Sequence, residues 1–213
     1  MAFTYTAHTG CCKTKMNSLE SIEMGARYGA PIIEFDLNFD ENGNPVLSHD
    51  KPKGGEVTLE EAFKKVSEYD NLMVNVDAKT YVALQKVTAI ASEYGILERI
   101  FFTGIGEDAV DVTRKTAPQV EYYLNMKVRM PLLHSTTYLQ SLVNMVKECG
   151  AIGINFNHKS ASRKLVEFFH QNNLLVSIFT VDKEPKMRKI LSYGADNITT
   201  RNPDVLQRVL KEK

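Results

Sequence analysis

Short apolar segments alternate with longer segments whose apolar positions recur at helical spacing along the whole chain. Runs of 4–8 residues rich in β-branched and aromatic side chains are typical of buried strands. We predict eight strands, near residues 3–7, 32–38, 72–77, 100–103, 120–124, 151–156, 174–181 and 197–200. A helix is predicted after each strand, near residues 18–29, 59–69, 81–95, 107–117, 136–149, 161–173, 184–194 and 202–212. Strands and helices in this alternation favour a parallel α/β fold.

Glycine and proline mark the ends of several of these helices. A glycine after the last helical residue commonly takes the left-handed conformation that ends a helix, and it occurs here at Gly29, Gly95, Gly150 and Gly194. The last helix begins with Asn202-Pro203, a capping residue followed by proline at the first helical position.

Eight strand-helix units are the number that a closed TIM (β/α)8 barrel requires. We therefore predict one barrel domain over residues 1–213. An open doubly wound sheet is the alternative, and it is less favoured because no glycine-rich phosphate loop follows the first strand.

Composition narrows the classes of partner. The chain has 26 Lys and Arg against 26 Asp and Glu, so its net charge is zero and no long-range field attracts nucleic acid. No apolar stretch approaches the roughly 18 residues of a membrane span, and no secretory signal is evident. Three cysteines, two of them adjacent (Cys11, Cys12 and Cys149), do not suit a secreted disulfide framework. We expect a cytoplasmic location, and the sequence leaves the oligomeric state open.

A hairpin is predicted directly after the second strand. Asn42-Gly43 is a strong signal for a two-residue β-turn. In that register Asp36 lies opposite His49, and opposed residues have Cβ atoms roughly 5 Å apart. We therefore expect a β-hairpin arm that returns His49 to the neighbourhood of Asp36.

The second strand carries two carboxylates on one face. Glu34 and Asp36 are two residues apart, so both side chains point to the same side of the strand. Their repulsion is offset either by a hard divalent cation, which prefers oxygen ligands, or by Lys or Arg from a neighbouring strand. The pattern by itself does not choose between these two.

Asp77 makes the metal site the favoured interpretation. It lies at the C-terminal end of the next predicted barrel strand, where active sites of barrels are built. Three carboxylates from adjacent strands then converge on one divalent ion, Mg²⁺ or Ca²⁺. Lys79 follows on the same face, where it either neutralises a substrate phosphate or pairs with Asp77.

Two histidines complete the candidate site. His8 ends the first predicted strand, and the hairpin places His49 near the same carboxylates. A pair of imidazoles supplies a general base and a general acid near neutral pH. Together with a cation they meet the needs of phosphodiester cleavage.

The order of these motifs resembles that of the glycerophosphodiester phosphodiesterase family along essentially the whole chain. The matching segments are His8-Thr9-Gly10 for the family's His-Arg-Gly, Glu34-Phe35-Asp36 for Glu-x-Asp, His49-Asp50 for His-Asp, Asp77-Ala78-Lys79 for Glu-x-Lys, Phe179-Thr180-Val181 for Trp-Thr-Val, and Thr200-Arg201-Asn202-Pro203 for the final Thr-x-x-Pro. The resemblance implies a TIM barrel, a divalent metal and hydrolysis of glycerophosphodiesters to an alcohol and glycerol 3-phosphate. It also implies that the two histidines act as acid and base.

The chain departs from the family pattern in its first loop and in one metal ligand. Thr9 replaces the family arginine, and Lys15-Met16-Asn17-Ser18 stands where the family has Pro-Glu-Asn-Thr. Asp77 replaces a glutamate, as in the similar sphingomyelinase D enzymes, and the insertion that follows His-Asp in the family is missing. A catalytically impaired phosphate-ester-binding barrel, and an enzyme acting on lysophospholipid or sphingolipid headgroups, are therefore the alternatives.

Several further residues are candidates for substrate contact. Lys13 and Lys15 either replace the charge of the lost arginine or are ordinary solvated lysines. Phe179 offers an apolar wall to a small-molecule phosphodiester or belongs to the core. Weaker candidates in or near the loops at the same end are His134, His158, Tyr122, Asn125, Asn155 and Asn157.

Overall fold

The computed structural model describes residues 3–212. Met1, Ala2 and Lys213 of the predicted domain lie outside the described residues. The strands are β1 (Thr4–Ala7), β2 (Ile32–Phe39), β3 (Pro45–Leu47), β4 (Met73–Ala78), β5 (Ile100–Ile105), β6 (Tyr122–Asn125), β7 (Gly153–Asn157), β8 (Leu175–Phe179) and β9 (Asn197–Thr200).

Helices follow the strands as the sequence predicts. They are α1 (Leu19–Arg27), α2 (Leu59–Ser67), α3 (Leu84–Glu93), α4 (Val110–Thr116), α5 (Thr136–Glu148), α6 (Arg163–His170), α7 (Glu184–Leu191) and α8 (Pro203–Lys211). None of the helices within residues 3–212 is both long enough and apolar enough to cross a membrane.

The sheet closes on itself. Parallel pairing runs in the order β1-β9-β8-β7-β6-β5-β4-β2, and β1 also pairs with β2 through Thr6 and Ile32, which completes a ring of eight strands. The short strand β3 lies outside the ring, antiparallel to β2. The predicted TIM barrel with a hairpin arm is therefore confirmed, and the closing pair excludes an open sheet.

Local sequence signals determine where the helices begin and end. Thr58 and Glu61 form a capping box at the start of α2, and the Ser18 hydroxyl caps α1. Proline stands at the first position of α8, as predicted, but the Asn202 side chain bonds to the Asp182 carbonyl and does not cap the helix. The four predicted glycines after α1, α3, α5 and α7 all have positive φ, namely Gly29, Gly95, Gly150 and Gly194.

Alternation along β2 separates the hydrophobic core from the barrel interior. Ile33, Phe35 and Leu37 point outward and belong to the large core between the strands and the helices. Phe35 packs there against Phe63 of α2, with ring centroids 6.1 Å apart. Burying each such side chain stabilises the fold by about 1.5–3 kcal/mol. The other face of β2, with Glu34 and Asp36, is left for the inside of the barrel.

The interior changes in chemistry along the barrel axis. Ile32, Phe101 and Tyr123 form a small apolar cluster at the N-terminal ends of their strands, which closes the bottom of the barrel. Above it, buried polar side chains bond to one another, including Thr6 to Asn197 and Thr103 to Asn75. The carboxylates lie in and above this polar layer, toward the C-terminal ends of β2 and β4.

The predicted register of the hairpin is wrong by one residue. The strands β2 and β3 pair Leu37 with Leu47 and Asn38 with Val46. The loop holds three residues rather than two, with Gly43 at φ 72°. Its stability comes from the Asp40 carboxylate, which accepts the backbone N–H groups of Asn42 and Asn44. As a result Ser48, not His49, bonds to the Asp36 carbonyl, at 3.0 Å.

Candidate active site

Three carboxylates meet at the C-terminal end of the barrel. Asp36 of β2 and Asp77 of β4 are direct neighbours in the parallel register, and Glu34 lies beside Asn75. One oxygen atom from each of Glu34, Asp36 and Asp77 lies within 4.8 Å of the others. Sequence spacing and barrel position predicted this convergence, and the three residues form a group that could hold a metal ion.

Two of the three carboxylates are deeply buried, and Asp77 is partly buried. Glu34 is 5% exposed and Asp36 1% exposed. The pKa of the Glu34 carboxyl is raised to about 7, chiefly because the group is buried; the charge of His8 acts against this rise, and the charges of Asp36 and Asp77 contribute to it. Negative charge is thus concentrated at this point, which is a condition that a bound cation would relieve.

Lys79 is the cation that contacts two of these carboxylates. Its Nζ lies 2.8 Å from Asp36 Oδ1 and 2.5 Å from Asp77 Oδ2. Burial tends to lower the pKa of Lys79, but the charges of Asp77 and Asp36 more than offset this, so its pKa is raised and it stays protonated. The sequence left open whether Lys79 pairs with Asp77 or neutralises a phosphate. The ion pair with Asp77 is present, and Lys79 also pairs with Asp36.

Asn17 and Thr9 orient the acidic side chains from the first loop. The Thr9 backbone N–H donates to Glu34 Oε2 at 2.8 Å, and the Asn17 amide donates to Asp36 Oδ2 at 2.9 Å. The Asp36 backbone N–H in turn donates to Asn17 Oδ1 at 3.0 Å. Thr9, in the place of the family arginine, therefore turns its hydroxyl toward Asn17 and supports the cluster through its backbone.

His8 lies beside the cluster. Its Nδ1 is 2.8 Å from the Thr9 carbonyl oxygen and 3.6 Å from Glu34 Oε2. A carbonyl can only accept a hydrogen bond, so Nδ1 carries the proton and Nε2 of the neutral ring keeps its lone pair. Nε2 is thus the atom of His8 that is able to accept a proton.

His49 lies on the rim rather than in the same cavity as His8. Its imidazole is 59% exposed, and Nδ1 is 2.9 Å from the Asp50 carboxylate, which lowers the pKa of Asp50. It borders an open groove that is also lined by Asn17, Ser48 and Lys51. Through Asn17 this groove adjoins the acidic cluster. The predicted pairing of His49 with Asp36 is therefore wrong. His49 is positioned by the segment that follows β3.

A small cavity of about 40 Å³ opens among the inward-facing residues. It borders His8 and two of the carboxylates, and Phe179 of β8 provides an apolar wall. The complete lining is His8, Glu34, Asn75, Asp77, Thr103, Asn125, Asn155, Phe179 and Thr199.

The remaining candidates lie farther out. Lys13 and Lys15 are both exposed in the first loop, and Lys15 borders a groove next to Asn17. His134 is exposed, and His158 has a buried Nδ1 with no hydrogen-bond partner among residues 3–212. Neither histidine borders the cavity at His8. Tyr122 faces outward and bonds to the Cys149 carbonyl.

Asn17, Asn75 and Thr103 belong to the site although the sequence patterns did not single them out. Asn75 precedes Asp77 by two residues, so the period-two rule that paired Glu34 with Asp36 identifies it as inward-facing. In the segment Lys15-Met16-Asn17-Ser18, Asn17 is the residue that is identical to the family's Pro-Glu-Asn-Thr motif, and this identity was a signal. Thr103 carries no such signal, because a threonine in a strand is common.

A closed barrel with an acidic cluster and an adjacent imidazole at its C-terminal face defines a TIM-barrel enzyme with a candidate metal site. Comparison with known proteins is more specific. Residues 52–205, more than half of the chain, match the model of the glycerophosphoryl diester phosphodiesterase family. The chain belongs to this family, and thus to the phosphoric diester hydrolases.

Whole-length relatives agree with this assignment. The glycerophosphodiester phosphodiesterase of Caldanaerobacter subterraneus subsp. tengcongensis is 21% identical over 245 aligned positions, which cover 97% of this chain and 97% of the relative. His8, Glu34, Asp36 and His49 precede the segment matched by the family model, whereas Asp77, Lys79 and Phe179 lie inside it.

Solved structures share the fold. A glycerophosphodiester phosphodiesterase from Parabacteroides distasonis superposes with a TM-score of 0.79 at 20% identity, covering 99% of this chain and 97% of that one. An Oleispira antarctica phosphodiesterase, solved with the product sn-glycerol-3-phosphate, gives 0.77 at 16% identity, covering 98% and 96%.

Proposed function

We propose that this chain is a metal-dependent phosphodiesterase that hydrolyses glycerophosphodiesters to an alcohol and glycerol 3-phosphate. The observation that carries the proposal is the group of three carboxylate oxygens within 4.8 Å of one another beside His8. The product sn-glycerol-3-phosphate in the Oleispira antarctica phosphodiesterase supports the substrate class.

The donor set fits a hard divalent ion. Glu34, Asp36 and Asp77 would hold Mg²⁺ or Ca²⁺, since both prefer carboxylate oxygens. Three carboxylates against the one ammonium of Lys79 leave two negative charges when all are ionised, which a divalent ion balances. When bound, the ion stabilises negative charge on the nonbridging phosphate oxygens.

The two imidazoles move the protons. His8 and His49 serve as acid and base, and in each ring the bond made by Nδ1, to the Thr9 carbonyl or to Asp50, leaves Nε2 for the reaction. His49 reaches the substrate from the rim, so the substrate lies between the groove at His49 and the cavity at His8.

Four further residues are proposed to contact the substrate. Lys79, whose Nζ contacts Asp36 and Asp77, adds positive charge next to the phosphate. Phe179 packs against the carbon chain. Lys13 and Lys15 supply the positive charge that the family arginine would bring.

Hydrolysis of glycerophosphocholine in Mg²⁺ or Ca²⁺, with and without a chelator, tests the proposal. We expect chelation to abolish turnover, and we expect His8→Ala and His49→Ala each to lower kcat/KM by at least ~100-fold, the scale for losing an acid–base group. The matched control is His170→Ala, because His170 pairs with Asp196 at the opposite end of the barrel and should leave kcat/KM unchanged.

Three outcomes would count against the proposal. Normal activity in both histidine variants excludes the acid–base mechanism. Binding of glycerol 3-phosphate without any hydrolysis favours the impaired binding barrel. A cyclic phosphate as the final product, or activity confined to lysophospholipids and sphingolipids, favours the sphingomyelinase D-like alternative.

Two expectations from the sequence stay predictions. One is that residues 1–213 form a single domain, and the other is the cytoplasmic location.

A further inference from the structure

Asn155 on β7 has a buried acceptor atom that the protein leaves unpaired. The residue is 5% exposed, and no group within residues 3–212 donates a hydrogen bond to its Oδ1. Buried side-chain oxygens in folded proteins nearly always have a partner, because a lost hydrogen bond in the interior is unfavourable by roughly 1–3 kcal/mol. The unpaired oxygen belongs to a residue that lines the cavity next to His8.

A chain of hydrogen bonds determines which end of the Asn155 amide is unpaired. The Gly104 backbone N–H donates to Asn125 Oδ1 at 3.1 Å, so the oxygen of Asn125 must face Gly104. The same oxygen accepts from Asn155 Nδ2 at 3.0 Å. Rotating the Asn155 amide by 180° would set two oxygens against each other. The orientation of Asn155 is therefore dictated by a backbone group, and Oδ1 is left as an acceptor.

Asn155 lies on the strand opposite the one that carries Glu34 and Asp36. Going round the barrel from β2, the strands β4, β5 and β6 come before β7, so β7 is the fourth of eight positions and lies opposite β2. Glu34 and Asp36 of β2 thus lie across the barrel from Asn155. If the phosphate lies at the carboxylate side, as the proposed function requires, the far end of the substrate would extend toward Asn155.

The size of the cavity limits what fits. A volume of about 40 Å³ corresponds to roughly three water-sized probes, at ~10–15 Å³ each. That space accepts a hydroxymethyl group but not a choline or an acyl chain. The group it takes must also donate a hydrogen bond, because Asn155 Oδ1 can only accept.

We propose that Asn155 binds the terminal hydroxyl of the substrate's glycerol, the hydroxyl farthest from phosphorus, and selects for substrates that carry it. Asn125 is a positioning residue that holds the Asn155 amide in the accepting orientation. The inference rests on the proposed function for the placement of the phosphate.

The first test is a pair of ligands that differ in one hydroxyl. Binding of sn-glycerol 3-phosphate is compared by calorimetry with binding of 2-hydroxypropyl phosphate, which lacks only the terminal hydroxyl. We expect the complete ligand to bind roughly 10- to 100-fold more tightly, as when a site's buried polar group is left unpaired. The same ratio is expected in kcat/KM for glycerophosphocholine against 2-hydroxypropyl phosphocholine.

Substitutions then assign the preference to Asn155. Asn155→Leu should bring both ratios close to one, mainly by weakening the ligand that has the hydroxyl. Asn144→Leu is the matched control, because Asn144 is exposed on α5 and does not line the cavity. Asn125→Leu should also lower the ratio, and Asn125→Asp should restore it, since a carboxylate still accepts from Gly104 and Asn155.

The outcomes separate this inference from the proposed function. A wild-type binding ratio near one, or an equal loss for both ligands in Asn155→Leu, means that water alone satisfies Asn155 and overturns the inference. Since the wild-type comparison needs no variant, poor folding of Asn155→Leu does not affect it. Absence of hydrolysis together with a preserved binding ratio would overturn the proposed function but support the hydroxyl site.

Discussion

At the scale of single residues, Asn17 connects the first loop to the acidic cluster. Its amide group both donates to the Asp36 carboxylate and accepts from the Asp36 backbone, and its own backbone N–H bonds to the Thr9 hydroxyl. Groups that hold a ligand carboxylate in this way set its orientation toward the ion. Asn17 should therefore affect metal binding without touching the metal.

We predict that Asn17→Ala weakens binding of Mg²⁺ or Ca²⁺ by about 10- to 100-fold, the usual effect of removing such a supporting partner. Calorimetric titration of the metal-free protein measures this directly. Asn144→Ala, on the exposed face of α5, is the control. An unchanged dissociation constant would show that Asp36 keeps its orientation without Asn17.

Lys79 has a different relation to the same cluster. As the ammonium between Asp36 and Asp77, it stabilises the fold when no metal is present, and it repels a metal ion when one binds. Its side chain is 23% exposed, so solvent screens part of the attraction.

The variant Lys79→Met should separate these two effects. In chelator we expect its free energy of unfolding to fall by about 1–3 kcal/mol, because the buried carboxylate of Asp36 and the partly buried carboxylate of Asp77 lose their partner. In saturating metal the difference from wild type should shrink, and metal affinity should be equal or higher. Urea unfolding in both conditions gives the result, with the exposed Lys115→Met as control. Loss of metal binding would mean that Lys79 organises the ligands instead of competing with the ion.

At the scale of elements, β5 passes closer to β4 than a side chain would allow. Gly104 has φ 78°, and a Cβ atom there would collide with the Ala78 carbonyl and lie 2.7 Å from Asp77 Oδ1. The glycine therefore lets β5 approach Asp77, a candidate metal ligand, and the Gly104 backbone N–H donates to Asn125, which in turn accepts from Asn155.

We predict that Gly104→Ala lowers the free energy of unfolding by at least about 2 kcal/mol, because backbone strain and collision add. Gly95→Ala is the matched control: Gly95 has φ 65°, but a Cβ added there would have no atom within 4 Å, so only the strain of about 1 kcal/mol remains. Urea denaturation of both variants measures the difference. Equal losses would show that β5 moves aside without penalty.

The hairpin arm shows what an element-level prediction can and cannot supply. Asn42-Gly43 correctly predicted a reversal after β2. The number of loop residues depended on the Asp40 carboxylate, which closes the loop by accepting from Asn42 and Asn44. A single added residue shifts every pair along the strand, so the predicted opposition of Asp36 and His49 failed although the hairpin itself is present.

At the scale of the whole molecule, the closed barrel brings candidate metal ligands from distant parts of the chain together, so that one ion would link them. Glu34 and Asp36 come from β2 and Asp77 from β4, and the ring is closed by β1 beside β2. An ion bound to the native cluster and not to the unfolded chain stabilises the entire domain.

We predict that Mg²⁺ or Ca²⁺ at a hundred times its dissociation constant raises Tm by roughly 5–10 °C, from about 2.7 kcal/mol of binding energy in a chain of this length. Asp77→Asn should remove most of the shift. Asp70→Asn, an exposed substitution in the turn before β4, should retain it. Thermal unfolding with increasing metal concentration is the measurement, and an equal shift in both variants would place the ion elsewhere.

The local sequence was sufficient to predict the barrel, because the signals for strands, helices and helix ends are short-range. Strand and helix order, the glycines after four helices and the two-residue spacing of Glu34 and Asp36 all depend on backbone geometry within a few residues. The convergence of the three candidate metal ligands could be predicted in the same way, since strands of a parallel barrel end at a common face.

Only the tertiary structure decided which partners these groups meet. The pairing of Lys79 with Asp36, the support from Asn17, the place of His49 on the rim and the unpaired oxygen of Asn155 each join residues from different strands or loops. Such contacts depend on angstrom-scale distances set by closure of the ring and by the hairpin register. Those distances could not be obtained from the order of residues along the chain.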